Sequence, residues 1–210
     1  MNTALCRVLL GSTLLSLTLL AALPLQDSDP EKTSITYRGG KYTVDRGHSS
    51  IVFHIRHMGV ANVWGRFGKF SGTYVLDPED PSANRIDLEV DTRTVDTNSP
   101  DRDEHIKTEA FLSAQKHRYM TFATTSCKET SPGKFHLKGD MTLRGITSPI
   151  EVEAELIGAR EVPMFQDYRT GLDARFTFKR SDFGMTELIS PTTLSDAIVV
   201  YVSLEGKQPR

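Results

Sequence analysis

The sequence predicts an all-β fold, with about eight or nine strands closed into a barrel or stacked as a sandwich. Three observations predict it. Apolar and polar residues alternate with period two in segment after segment, the mark of strands with one dry and one wet face. Every such segment keeps a polar face, which excludes a buried parallel sheet whose strands are dry on both sides. The chain has 210 residues, a length that an all-β barrel can use as one domain.

Before these strands, residues 1–26 have the pattern of a secretory signal peptide. Arg7 is the one charged side chain, a Leu-rich run follows it, and the first acid is Asp27. The run from Val8 to Leu25 approaches the length of a membrane-spanning helix. Gly11, Ser12, Thr13, Ser16 and Thr18 interrupt it, which favours cleavage over a retained anchor. Cys6 precedes the run, whereas a lipidated cysteine follows it. Residues 27–40 are polar, with Pro30 and the Gly39-Gly40 pair, and read as a linker or loose N-terminal arm.

The strands follow in order. One segment lies near 41–45. Ile51, Phe53 and Ile55 then alternate with polar neighbours, and a further stretch covers 63–77. There Gly65, Gly68 and Gly72 flank Phe67 and Phe70 and suggest bulges or bends. Ile86, Leu88 and Val90 mark the next strand. Ser99-Pro100 with acids behind it starts a helix expected over about 100–113, with Ile106, Ala110 and Phe111 facing inward. The segment 119–126 contains Phe122. Phe135, Leu137, Met141 and Leu143 share one parity, as do Ile150, Val152, Ala154 and Leu156. Residues Gly158 to Thr170 read as a loop carrying Pro163, Met164 and Phe165. Leu172, Ala174, Phe176 and Phe178, then Ile198, Val200, Val202 and Leu204, close the series, with 207–210 as a tail.

Composition excludes several functions. The formal net charge of −2 lacks the basic excess that nucleic-acid binding needs. Two cysteines permit neither a disulfide framework nor a cysteine-based zinc site. Cys127 reads as a small half-buried hydrophobe. His54 and His57 differ in parity and so point to opposite faces, which opposes a shared metal. No nucleophile–base motif, P-loop or dinucleotide fingerprint occurs. The polar cluster Asp101 to His105 suits helix capping, with Arg102 pairing to its acids. Its enzymatic alternative is acid–base work by Asp101 and His105.

The chain resembles the YceI-like, polyisoprenoid-binding family. The matching residues include Tyr42-Thr43-Val44-Asp45, His48 to His57, Gly65-Arg66-Phe67, and Thr94-Val95-Asp96-Thr97. Arg102 to Lys107, Gly139 to Ile150, Arg180 to Met185 and Leu194-Ser195-Asp196 complete the order, so the resemblance spans about 41–206. It implies a lipocalin-like antiparallel barrel of about eight strands with an elongated apolar cavity. It also implies a periplasmic or secreted binding protein with no catalytic residues. The ligand would be a long isoprenoid lipid or isoprenoid quinone. The apolar parity set then becomes the candidate ligand-binding set: Ile51, Phe53, Ile55, Phe67, Ile86, Leu88, Val90, Ile106, Phe111, Phe122, Phe135, Leu137, Met141, Val152, Phe176, Phe178, Val200 and Val202. His57, Arg102 and Arg180 are candidate headgroup contacts. No metal, cofactor or nucleic acid is expected. Transient membrane contact is, and monomer and homodimer both stay open. The alternative to lipid carriage is a surface-interaction module with a filled barrel, displaying an apolar patch around Pro163, Met164 and Phe165.

Overall fold

The structure, a computed structural model, describes residues 35–209. The expected leader at 1–26 and the start of the expected arm lie outside the described residues. The elements are β1 (Gly40–Val44), β2 (Ser50–His57), β3 (Ala61–Phe67), β4 (Phe70–Leu76), β5 (Arg85–Asp91), β6 (Val95–Asp96), α1 (Pro100–Lys107), β7 (Tyr119–Ser131), β8 (Lys134–Leu143), β9 (Ile146–Val162), β10 (Asp167–Lys179) and β11 (Leu194–Pro209). All strand pairings are antiparallel, and the order β1-β4-β5-β7-β8-β9-β10-β11 closes when β11 pairs with β1. The remaining strands are continuations: β2 extends β1, β3 leads into β4, and β6 extends β5. The result is an eight-stranded closed barrel, and closure removes the unpaired edges that an open sheet exposes.

The three continuations begin at breaks that lie side by side across adjacent strands. Each break keeps its backbone groups satisfied. Asp45 accepts from Gly47 N at 3.1 Å, and Ser49 Oγ donates to Asp45 O at 2.8 Å. Across the next strand, Gly68 N and Lys69 N donate to Thr94 O and Thr94 Oγ1. Asp91 then accepts from Arg93 N at 3.1 Å. Buried backbone must find such partners, so a strand bends here without losing stability wholesale.

One end of the barrel is plugged. Tyr42 and Tyr74 are fully buried and stack with ring centroids 5.3 Å apart. Tyr74 Oη lies 3.0 Å from Thr170 O and 2.7 Å from Thr170 Oγ1, and Tyr42 Oη donates to Arg38 O at 2.5 Å. A side chain on Gly206 would place its Cβ 2.1 Å from Tyr74 Oη, so the ring occupies the space that glycine leaves.

Four expectations need correction. The helix ends at Lys107 rather than near 113. Thr108 leaves helical geometry, and Leu112 N and Ala114 N turn back to Ile106 O and Lys107 O. Phe111 is therefore not on a helix. The presumed loop 158–170 is mostly strand: β9 runs to Val162 and β10 starts at Asp167, around a one-turn 3-10 segment at Pro163–Phe165. A register shift at Gly171/Leu172 breaks the alternation that would have announced it. The described part of the arm is docked, because Ile35 and Tyr37 pack on the core and Arg38 pairs with Glu161 at 2.5 Å. Finally, the tail is strand through Pro209, with Lys207 opposite both Thr43 and Arg169.

Candidate functional site

Inside the barrel is a cavity of about 580 Å³. The strands supply its wall by parity. Ile51, Phe53 and Ile55 come from β2, Phe67 from β3, and Ile86, Leu88 and Val90 from β5. Phe122, Leu137, Met141 and Val152 come from β7, β8 and β9. Phe176 and Phe178 on β10 and Val200 and Val202 on β11 complete the circle, and Ile106 and Phe111 border the cavity from the helix region. Phe135 does not line it; it is 2% exposed and packed in the core toward the plugged end. Val63, Leu143, Leu172, Leu194, Ile198 and Leu204 also line the cavity. Their parity matched their strand-mates, so the alternation already carried the signal.

Two lining phenylalanines lie over glycines of the neighbouring strand. A Cβ at Gly65 would sit 2.5 Å from the Phe53 ring, and one at Gly139 would sit 2.3 Å from the Phe122 ring. Gly65 thus marks close approach rather than the bend expected there from sequence, and Gly139 repeats the arrangement.

At the other end the cavity meets α1, the β2–β3 turn and the segment between β10 and β11. Met58, Thr97, His105, Met185, Leu188, Thr192 and Thr193 line this mouth together with His57, Arg102 and Arg180. Sequence reasoning named the last three. It missed Met58 and Leu188, which lie in turns without periodicity and both have positive φ.

Arg180 is the most deeply buried of these, at 1% exposure. Its Nε donates to Ser195 O at 3.0 Å, and its Nη1 donates to Met185 O at 3.2 Å and Glu187 O at 2.7 Å. Asp196 completes the clamp by accepting from Ser181 N and Ser181 Oγ. Two separated sequence blocks, Arg180 to Met185 and Leu194 to Asp196, thus form one lock on the mouth segment. Burial disfavours the Arg180 charge and lowers its pKa, against the opposing pull of Asp196 and Glu187.

The helix start differs from the expected cap. Ser99 holds the cap position without a side-chain bond. Asp103 instead reaches back to Thr97 N at 2.8 Å and Thr97 Oγ1 at 2.6 Å. Arg102 does not pair with the helix acids; it donates to Thr97 Oγ1 at 2.8 Å and Thr97 O at 2.6 Å. His105 packs edge-on against Phe111, with centroids 5.0 Å apart. No hydrogen bond joins Asp101 to His105 among the described residues, so that pair is not assembled for proton transfer.

His54 lies outside the barrel on Trp64, 4.6 Å between ring centroids, while His57 borders the cavity. The two do not converge. Asp45, His48 and Glu205 do cluster, but Arg169 donates to both carboxylates and occupies the space between them. Cys127 is buried, and burial pushes its thiol up to about 11, which leaves it protonated at neutral pH.

The family model of the YceI-like domain matches residues 42–206. This chain belongs to the YceI-like family. A UPF0312 protein of Pectobacterium atrosepticum is 33% identical over 198 residues, covering 94% of this YceI-like chain and 98% of the relative. A Campylobacter jejuni YceI protein of solved structure superposes with a TM-score of 0.66 at 26% identity, covering 74% of this chain and 90% of that one. A structure described as a polyisoprenoid binding domain from Saccharophagus degradans shares the fold, with a TM-score of 0.62 and 14% identity over 80% of this chain and 98% of that one. No helix among the described residues of this YceI-like chain is long and apolar enough to cross a membrane.

Proposed function

We propose that this YceI-like chain is an exported protein that holds a long isoprenoid chain, a polyprenyl lipid or an isoprenoid quinone, for transport or storage. The observation that carries the reading is the apolar cavity of about 580 Å³, whose polar lining is concentrated at one mouth. At about 30 Å³ per water, that volume equals roughly twenty waters, enough for an apolar tail of similar atom count. The tail would lie along the β-strand lining from Leu137 and Val152 up to Ile55 and Phe178. The headgroup would sit among His57, Arg102 and Arg180. The polyisoprenoid binding domain of shared fold supports the same assignment.

An empty apolar cavity is costly, on the order of 24 cal/mol per Å³ in core-truncation series. A bound lipid offsets that cost and stabilises the fold by mass action. Binding rather than catalysis is the reading, in keeping with the binding domain that shares the fold. The Met164 and Phe165 side chains are exposed as the surface-module alternative requires, yet that alternative also requires a filled interior.

Exchange would take place against a lipid surface. Met58, Val60, Leu188 and Ile189 expose 57%, 82%, 47% and 38% of their surface, and Met58 and Leu188 also line the cavity. Met58 and Leu188 thus link the cavity lining to the exposed apolar rim.

Native mass spectrometry of gently purified protein tests the reading. A co-purifying lipid mass is expected, together with a rise in melting temperature when a polyprenyl quinone is added to stripped protein. Protein that arrives ligand-free, with a melting temperature indifferent to the lipid, overturns it.

A further inference from the structure

We infer that the barrel has a side portal, the seam between β9 and β10, and that the Phe178 and Phe183 rings gate it for a lipid tail. This rests on reading the cavity as a tail site and adds the route by which the tail enters and leaves. β9 begins at Ile146 and β10 runs to Lys179, but their pairing stops at Glu153 opposite Arg175. Continued in register, Glu151 would face Thr177, Ile150 would face Phe178 and Pro149 would face Lys179, and none of these pairs forms. Pro149 has no N–H to give a partner, which suits a stretch left unpaired. Each strand stays paired on its other side, β9 with β8 up to Ile146 opposite Leu143 and β10 with β11 up to Lys179 opposite Ala197. The strands therefore part as two intact sheet margins. Between them lies a groove of about 440 Å³, bordered by Pro149, Ile150 and Glu151 on one bank and by Thr177, Phe178 and Lys179 on the other. Ile150 and Phe178 have inward parity, and Glu151 and Thr177 outward parity, so the groove enters between the strands.

Phe178 borders both the cavity and the groove, so one aromatic layer separates them. Phe183 is fully buried, meets Phe178 edge-on with centroids 5.4 Å apart, and borders the groove alone. It belongs to the 3-10 turn Arg180–Phe183, whose side-chain anchors lie on the β11 side. Ser181 is held by Asp196, and Arg180 Nε donates to Ser195 O. The turn lies against β9, yet no hydrogen bond joins the two among the described residues. The gate is thus fastened to one bank only. Parting the banks here breaks no strand ladder, whereas parting a paired seam gives up a series of backbone bonds, and weakly bonded places open first. The unpaired stretch Phe176–Lys179 is about 13 Å long at the rise of a strand, and it leads into the mouth at Arg180. A tail threaded end-on must pass His57, Arg102, His105 and Arg180 and displace their water, while a tail slipping in sideways along the slot does not.

The test bridges the seam in the full chain, stripped of lipid, with Cys6→Ser and Cys127→Ser removing its two native thiols. Glu151→Cys with Thr177→Cys is joined by a short bis-maleimide, confirmed by mass, and the same pair capped with N-ethylmaleimide is the reference. Thr177→Cys with Val199→Cys, opposite each other on the β10–β11 ladder, is bridged as a control. Loading and release of radiolabelled geranylgeraniol, presented in phosphatidylcholine vesicles, are timed by rapid separation of protein from vesicles. The seam bridge should slow both rates at least about tenfold and leave their ratio within about threefold, because a route sets barriers and not the equilibrium. The β10–β11 bridge should change neither rate. Phe183→Leu, which leaves the cavity lining intact, should release the lipid at least about threefold faster. A seam bridge that leaves the rates at the capped reference, or a β10–β11 bridge that slows them equally, overturns the portal and leaves the tail site standing. Release from folded Phe183→Leu at the wild-type rate or slower overturns the gate. A chain that takes up no geranylgeraniol in any form overturns the tail site itself.

Discussion

At the plugged end of the barrel the buried hydroxyls of Tyr42 and Tyr74 both have partners, and the rings fill the space around Gly206. At the mouth, the buried Arg180 keeps one nitrogen unpaired, and Met58, Val60 and Leu188 stand in solvent. The tyrosine plug finds its hydroxyl partners within the chain itself. The mouth leaves polar and apolar groups both short of partners, which is what a surface does when part of its environment arrives from outside. Stability and binding are therefore expected to separate along the barrel axis.

Mutating the plug should produce the largest effect on stability. Tyr74→Ala removes a fully buried ring and should cost about 3–5 kcal/mol, as large aromatic truncations do, read as a shift in the urea midpoint. A loss under about 1 kcal/mol, where surface changes usually fall, would show that the plugged end is not the anchor of the fold. An intermediate effect is expected along the line of strand breaks. Asp91 accepts from Arg93 and Arg118 at 3.0–3.1 Å, and these bonds, Arg93 first, hold its carboxyl down at about 2. Its folded value lies below the ordinary 3.8, so its contribution is fully present above that range and is lost as pH falls toward about 2. Asp91→Asn should be less stable than wild type at neutral pH, and the difference should close on acidification in that window. A pH-independent difference would mean that Asp91 acts through packing rather than charge. The smallest effect on stability belongs to the rim. Val60→Ser with Leu188→Ser should change unfolding by no more than about 0.5 kcal/mol each, while slowing transfer of a prenyl lipid to vesicles several-fold. Unchanged transfer would detach the rim from lipid exchange.

Much of this contrast was legible in the sequence, unevenly. The barrel wall was readable because each inward side chain repeats every second residue: Ile51, Phe53 and Ile55 declare one face wherever they are placed. The plug was not, because Tyr42, Tyr74 and Thr170 come from three strands and meet only after the sheet closes. The long hairpin after Gly158 was hidden by the register shift at Gly171, which desynchronises the two faces. The helix was over-extended because Ala110 falls four residues after Ile106, with Phe111 beside it, although the chain there folds back on itself. At the mouth, chemistry outlasted periodicity. His57, Arg102 and Arg180 stood out as polar residues near apolar parity sets, whereas Met58 and Leu188 sit in turns, where an apolar residue has no pattern to betray its direction.

The two glycines beneath Phe53 and Phe122 set the calibre of the cavity without lining it. A methyl group at Gly65 or Gly139 has no room under the ring, and at Gly139 it also meets the Ala123 carbonyl, so ring and strand must shift and the bore changes although every lining residue is unchanged. Discrimination between slender and bulky tails can thus drift during evolution by substitutions behind the wall, at positions that a survey of contact residues would pass over.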